Sequence, residues 1–182
     1  MRTLAITQNM TLDGSIEMVT DWFDPTVEAP DLMAESHRQD AEADGLLVGR
    51  QTFEDFRSFW PHQTEDATGI TDYLNTVDKY VVSSTMTDPD WQNSTVLSGD
   101  VVDEVTALKN AEGKDIVVTG SISLCHTLIG AGLVDEYRLF VYPTVQGSGR
   151  RLFPAGLEIP TLRLVDTKAF ELGVSLLRYR TV

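Results

Sequence analysis

Short apolar runs alternate with amphipathic stretches along this chain, and that alternation sets the expected elements. Leu4 to Thr7 reads as a strand running into Gln8 and Asn9, with a turn at Asp13-Gly14. Residues 18–30 are rich in Asp, Thr and Pro and read as a loop, with Trp22 and Phe23 as its apolar anchors. Asp31 is expected to cap a helix running to about Glu42, with Leu32, Met33 and Ala34 near its start. Leu46-Leu47-Val48, bounded by Gly45 and Gly49, reads as a buried strand, and Thr52 to Phe59 as a short helix. Residues 61–72 are polar and loop-like. Strands are expected at Tyr80 to Ser83 and at Val96-Leu97, followed by a helix from Val101 to Asn110 with Val102, Val105 and Leu108 inward. Asp115 to Thr119 is a buried strand that runs through Gly120-Ser121 into a helix ending near Ala131. Val134 to Tyr142 reads as a strand and Gly147-Ser148-Gly149 as a loop. Leu162 to Phe170 and Leu172 to Tyr179 form a terminal pair of strands with Gly173 near their turn.

Strands alternating with helices imply α/β crossovers and a mainly parallel sheet. The terminal pair adds an antiparallel edge, so the expected fold is a mixed sheet flanked by helices. With no internal repeat and no Pro/Ser linker, residues 1–182 read as a single domain.

Composition narrows the function. At 42% hydrophobic and 23% charged residues, the chain is ordinary globular protein. It carries 14 Lys plus Arg against 28 Asp plus Glu, a net charge of −14. Nucleic acid would be repelled, because its binding rests on Lys and Arg contacts to phosphate. An anionic cofactor would need a local cluster of donors, which makes the few arginines informative. The one cysteine, Cys125, excludes an intramolecular disulfide and a Cys-rich metal site. It falls within the apolar helical pattern of Ile122, Leu124, Leu128 and Ile129 and reads as a buried, inert thiol. His37, His62 and His126 have no metal-ligand spacing, so no metal is expected. No apolar run approaches the ~20 residues of a membrane-spanning helix, and the start lacks a signal-peptide apolar region. A cytoplasmic protein without membrane contact is therefore expected.

Three loops that follow apolar strands carry small or hydroxyl residues. They are Gly49-Arg50-Gln51-Thr52-Phe53, Ser83-Ser84-Thr85 and Gly120-Ser121-Ile122-Ser123. Ligands of open α/β sheets sit outside the carboxyl ends of the strands, where helix N-termini offer free N–H groups to phosphates. Taken alone, Gly120-Ser121 reads first as a plain turn with an N-cap, Ser83-Ser84-Thr85 as a turn, and Arg50 as a solvated surface residue. Together they offer amides for a pyrophosphate, and hydroxyls with a guanidinium for a further phosphate. Neither the G-x-G-x-x-G fingerprint nor a P-loop is present.

Six segments occur in the order seen in dihydrofolate-reductase-like proteins: TLDG (Thr11–Gly14), LLVGRQTFEDF (Leu46–Phe56), KYVVSST (Lys79–Thr85), VVTGSISL (Val117–Leu124), GLVDEYRL (Gly132–Leu139) and GSGRRLF (Gly147–Phe153). The chain resembles most the reductase domain forming the C-terminal half of bifunctional riboflavin-biosynthesis enzymes, and its stand-alone relatives. The resemblance implies that NADPH is the cofactor. Arg50 would meet its 2′-phosphate, with Ser83 and Ser84 around the adenosine end. Gly49 and Thr52 would lie against the pyrophosphate, and Gly120, Ser121, Ile122 and Leu124 would wrap the pyrophosphate and the nicotinamide ribose. Asn9 and Ile16 would flank the nicotinamide. Where the family usually has Gly-Gly, often joined by a cis bond, this chain has Gly120-Ser121.

On the substrate side, Asp31 would be the carboxylate that dihydrofolate reductases place early in the helix after the first loop. The residues alone also read it as a helix cap, and one carboxylate can do both. Trp22 and Phe23 would line a pocket for a planar ring, or anchor their loop on the core. Arg150 and Arg151 would meet an anionic group or form a solvated loop. The zinc-deaminase signature of the bifunctional enzymes is absent. The resulting expectation is an NADPH-dependent reductase of a small pterin, folate or pyrimidine substrate, with a homodimer implied by the resemblance. The alternatives are a 5-amino-6-(5-phosphoribosylamino)uracil reductase of riboflavin biosynthesis and a non-catalytic nucleotide-binding module.

Overall fold

The computed structural model describes residues 1–159 and 161–182. Eight strands form one sheet: β1 (Leu4–Thr11), β2 (Ala43–Gly49), β3 (Asp78–Val82), β4 (Ser94–Leu97), β5 (Asp115–Val118), β6 (Glu136–Tyr142), β7 (Arg163–Ala169) and β8 (Ser175–Arg180). Their order is β4-β3-β2-β5-β1-β6-β8-β7. Every pairing from β4 across to β6 is parallel, and the β6–β8 and β8–β7 pairings are antiparallel. The mixed, mainly parallel α/β sheet is therefore the observed architecture.

The helices are α1 (Pro30–Glu42), α2 (Arg50–Phe59), α3 (Ile70–Thr76), α4 (Val101–Asn110) and α5 (Ile122–Gly130), with a 3₁₀ turn at Trp60–His62. Alternation along the strands divides the core between the two faces of the sheet. Leu4, Ile6, Leu47, Ile116 and Val118 pack with Val105 of α4 and Leu128 of α5. On the opposite face, Leu46, Val48 and Val81 pack with Phe53 of α2, Trp60 and Leu74 of α3.

Several local expectations are corrected. Residues 61–72 are not all loop, because the 3₁₀ turn and the start of α3 fall within them. The polar sequence of α3 has little helical signal of its own. Tertiary contacts hold it: Leu74 is buried, Asp66 accepts the Thr71 amide at 2.7 Å, and the buried Lys79 ammonium donates to the Leu74 carbonyl at 2.7 Å. Asp31 is not the cap of α1, since Ala29 occupies that position and Pro30 takes the first turn, where a missing N–H costs nothing. β1 runs on through Thr11, which carries Asn9 within the sheet.

One polar cluster lies inside this frame. Register places Glu136 opposite Arg180, and Arg138 opposite Arg178, across β6 and β8. Glu136 is fully buried and accepts from Arg138 Nε at 2.6 Å, Arg178 Nη2 at 2.6 Å and Arg180 Nε at 2.7 Å. Burial alone would raise its pKa, but the three guanidinium bonds win and hold the carboxyl at about 2. A folded pKa below the unfolded value means that this stabilisation is complete above pH 4.5 and is lost as pH falls toward 2. Glu136→Gln should cost about 3 kcal/mol at pH 7, because it leaves guanidinium groups uncompensated. It should also flatten the acid limb of the stability curve, as measured by urea unfolding at a series of pH values.

Candidate functional site

Two helices begin directly where two neighbouring strands end. β2 passes through Gly49 into α2, and β5 passes through Gly120-Ser121 into α5. Neither helix has a side-chain cap. The first internal bond of α5 is from the Cys125 amide to the Ser121 carbonyl, so the amides of Ile122, Ser123 and Leu124 stay free for a ligand. Both N-termini open on a cavity of about 590 Å³. The neighbouring α4 differs: Asp100 accepts the Val102 and Asp103 amides at 2.9 and 3.1 Å, closing that end to an anion.

Side-chain hydrogen bonds lock the two helix starts together. Ser121 N donates to Thr52 Oγ1 at 2.9 Å, and Gly49 N donates to Ser121 Oγ at 2.9 Å. From β1, Gln8 Nε2 donates to the Gly120 carbonyl at 2.7 Å. Gly120 and Ser121 both adopt left-handed backbone, with φ of +55° and +50°. A Cβ on Gly120 would sit 3.0 Å from Thr52 Cγ2, so both space and conformation select glycine there. The bond between Gly120 and Ser121 is trans, as is every described peptide bond.

This helix-end cavity gathers Gly49, Arg50 and Thr52 with Gly120, Ser121 and Ile122. Leu124 and Ile16 also line it. Two guanidinium groups reach it. Arg50 is half exposed and pairs loosely with Glu54 at 3.5 Å, while Arg150 pairs with Glu17 at 2.7 Å. Ser83 and Ser84 are not brought to its wall. The Ser83 hydroxyl accepts the Thr85 and Met86 amides within its own turn, and Ser84 is exposed.

A second cavity, of about 500 Å³, opens further along the same sheet edge. Part of its lining is aromatic. Trp22, Phe23 and Tyr142 meet with centroid separations of 5.4 to 5.9 Å, two of the three pairs edge-to-face. Asn9 of β1 lies in this cavity rather than in the first. The segment around residues 16–29 spans both cavities, Ile16 to Met18 facing one and Asp21 to Ala29 the other. Gln146 pins that segment: its Oε1 accepts the Val19 and Thr20 amides, and its Nε2 donates to the Ser15 hydroxyl and the Glu17 carbonyl, all at 3.0–3.1 Å.

One face of α1 forms the wall opposite, through Met33, His37 and Asp40 at i, i+4 and i+7. His37 Nε2 lies 2.8 Å from the Thr68 carbonyl, which can only accept, so that nitrogen carries the proton. No protein hydrogen bond reaches the Asp40 carboxyl among the described residues. Burial pushes its pKa up to about 6, against the opposing pull of His37. Asp31 does not line either cavity. Its Oδ2 accepts the Glu171 amide at 2.8 Å and ties the start of α1 to the β7–β8 turn. Asp40 and Gln146 therefore join the site without having been singled out in the sequence. For Asp40 the only available signal was the helical stripe it shares with Met33 and His37. Cys125 is fully buried with its thiol pushed up to about 12, which leaves it unreactive.

Comparison with known proteins places these features in context. The family model of the RibD C-terminal domain matches residues 2–176. Protein YyaP of Bacillus subtilis (strain 168) is 32% identical over 175 residues, covering 95% of this chain and 92% of YyaP. Two crystal structures share the fold. One, described as a riboflavin biosynthesis protein from Shewanella sp. PV-4, has a TM-score of 0.73 at 20% identity, covering 98% of both chains. The other, a pyrimidine reductase-like protein from Corynebacterium diphtheriae, has a TM-score of 0.70 at 15% identity, covering 100% of this chain and 92% of that one.

Two outcomes test this geometry. Gly120→Ala should lower stability by about 2 kcal/mol through left-handed strain and the Thr52 contact, read as a shift in the urea midpoint. Asp40→Asn should do the opposite at neutral pH. A carboxyl whose folded pKa lies above its unfolded value destabilises the fold as pH rises from 3.8 through 6. The variant should therefore be more stable than the parent at pH 7.5, by about 1–2 kcal/mol, with no such gain at pH 3.5. A loss at pH 7.5 would contradict the burial of an unpaired carboxylate.

Proposed function

This chain belongs to the RibD C-terminal domain family, a family of reductases, and from that premise we propose that it is an NADPH-dependent oxidoreductase acting on a small flat heterocycle of pterin, folate or pyrimidine type. The observation that carries the reading is the pairing of two unlike cavities along one sheet edge. One has uncapped helix ends and two arginines, and the other has aromatic walls and a carboxyl. When bound, NADPH supplies the hydride.

The protein's own residues bind, orient and exclude water. Free amides at the starts of α2 and α5 suit a pyrophosphate, favoured further by the two helix dipoles. Gly120 lets that chain approach the backbone closely. Arg50 offers a planar fork to the 2′-phosphate, and its loose tie to Glu54 leaves it free to re-pair. Ile16 and Asn9, one in each cavity, would flank the nicotinamide. Trp22, Phe23 and Tyr142 would hold the acceptor ring against that edge, so much of the rate would come from positioning. Asp40 can hold a proton within the acceptor's pocket at mildly acidic pH. Asp31 acts as a positioning residue that fixes the start of α1.

Arg50→Ala should weaken NADPH binding by about tenfold or more while changing NADH binding little, since only NADPH carries the 2′-phosphate. Nicotinamide fluorescence titrations read both, and an equal loss for the two cofactors would remove Arg50 from the site. Turnover is tested by following loss of reduced-nicotinamide absorbance with dihydrofolate and with aminopyrimidines as acceptors.

A further inference from the structure

Two consecutive amide side chains on β1 are used differently. Successive strand residues face opposite sides of a sheet, so Gln8 and Asn9 point away from each other. Gln8 is buried, and its Nε2 donates to the Gly120 carbonyl at 2.7 Å and to Cys125 Sγ at 3.4 Å. Asn9 is half-buried and lines the aromatic cavity. Among the described residues no protein group hydrogen-bonds its carboxamide, and the carboxamide is not sealed in either. The buried polar side-chain atoms without a partner are Thr7 Oγ1, Trp22 Nε1 and Arg138 Nη1, so both polar atoms of Asn9 stay open to the cavity.

Asn is depleted in strands, and β1 is a central strand, between β5 and β6. The register neighbour of Asn9 on β6 is Phe140, with Tyr142 two residues on, and all three line the cavity. A half-buried amide with no protein partner gives the fold nothing that an apolar side chain would not give better there. Such a breach of local preference in an otherwise consistent strand marks a residue kept for a ligand. A carboxamide presents a C=O and an N–H side by side in one plane. A flat ring with an N–H next to a C=O, the edge of a cyclic lactam, matches both at once, as Asn matches the paired donor and acceptor on an adenine edge. Trp22, Phe23 and Tyr142 supply faces for such a ring.

We propose that Asn9 is a specificity-determining contact of the aromatic cavity, pairing through its side-chain carboxamide with the lactam edge of the acceptor ring. This deepens the reading of that cavity as the acceptor's pocket and rests on it. The nicotinamide's own carboxamide carries a similar edge, so the test separates the two sources.

The probes are 4-quinazolinone, which has the lactam edge, and its N3-methyl derivative, the same ring with the N–H blocked. Both are titrated calorimetrically into wild type, Asn9→Leu and Asn9→Ala, and into wild type saturated with NADPH. Wild type should bind the lactam about tenfold more tightly than its N-methyl form. It should keep that preference when saturated with NADPH, and both variants should lose it. The urea midpoint of Asn9→Leu should be no lower than that of wild type, because the amide does nothing for the fold. The inference is overturned if the lactam does not bind, if wild type binds both probes equally, if the variants keep the preference, or if the midpoint of Asn9→Leu falls. Loss of the preference on saturation with NADPH also overturns it and assigns Asn9 to the cofactor. NADPH binding by wild type, read by nicotinamide fluorescence, separates the two readings. NADPH binding without lactam preference overturns this inference and leaves the reductase assignment standing. Lactam preference without NADPH binding leaves Asn9 as a ring contact and removes the reductase assignment.

Discussion

The knot around Gly120-Ser121 is the constraint on which the site depends. Two side chains converge on this pair, Gln8 from β1 at the Gly120 carbonyl and Thr52 from α2 at the Ser121 amide, and the Ser121 hydroxyl in turn accepts the Gly49 amide. Each bond satisfies a backbone group left over where a strand gives way to a helix. Those bonds stop short of the helices' own first amides, which have no side-chain cap and face a cavity. The left-handed pair at 120–121 aims the start of α5, and only a residue without Cβ fits 3.0 Å from Thr52. Within a close-packed frame, such a turn would be hard to alter without moving both helices.

Around that knot the charges are unevenly placed. In a chain of net charge −14, Arg50 and Arg150 stand beside Glu17 and Asp55 at the helix-end cavity, whereas the described lining of the aromatic cavity has Asp21, Asp24 and Asp40 and no Lys or Arg. The segment spanning both cavities is bound to the 146–150 loop by Gln146 and by the Arg150–Glu17 pair. The two cavities thus share one loop. An anion that reaches Arg150 competes with Glu17, whose carboxyl is held below its usual range by hydrogen bonds from Arg150. Occupation of one cavity would in this way be felt in the wall of the other.

What the sequence revealed and what it hid divide along physical lines. Buried strands such as Asp115–Val118 and Leu46–Val48 stood out because both faces are covered and their apolar runs are continuous. Gly49 and Gly120 stood out because a strand-to-helix turn needs small residues there. Helix α3 did not, since burial of its single Leu74 and bonds from Asp66 and Lys79 outside the helix hold it. Asp40 sits in the run Gln-Asp-Ala-Glu, which reads as a solvated helix face. It becomes a pocket carboxyl only because residues 21–29 and 68–70 fold over α1. Ser83 shows the reverse, a hydroxyl with the look of a ligand donor that is taken up by its own turn.

The account stands on the helix-end cavity being a site for a phosphorylated dinucleotide. Titration of the unmodified protein with NADPH and with NADH, followed by nicotinamide fluorescence, tests that most directly. Saturable binding of NADPH at least about tenfold tighter than that of NADH is the predicted result. Failure of both to bind would contradict the account and leave the family resemblance as a statement about fold alone.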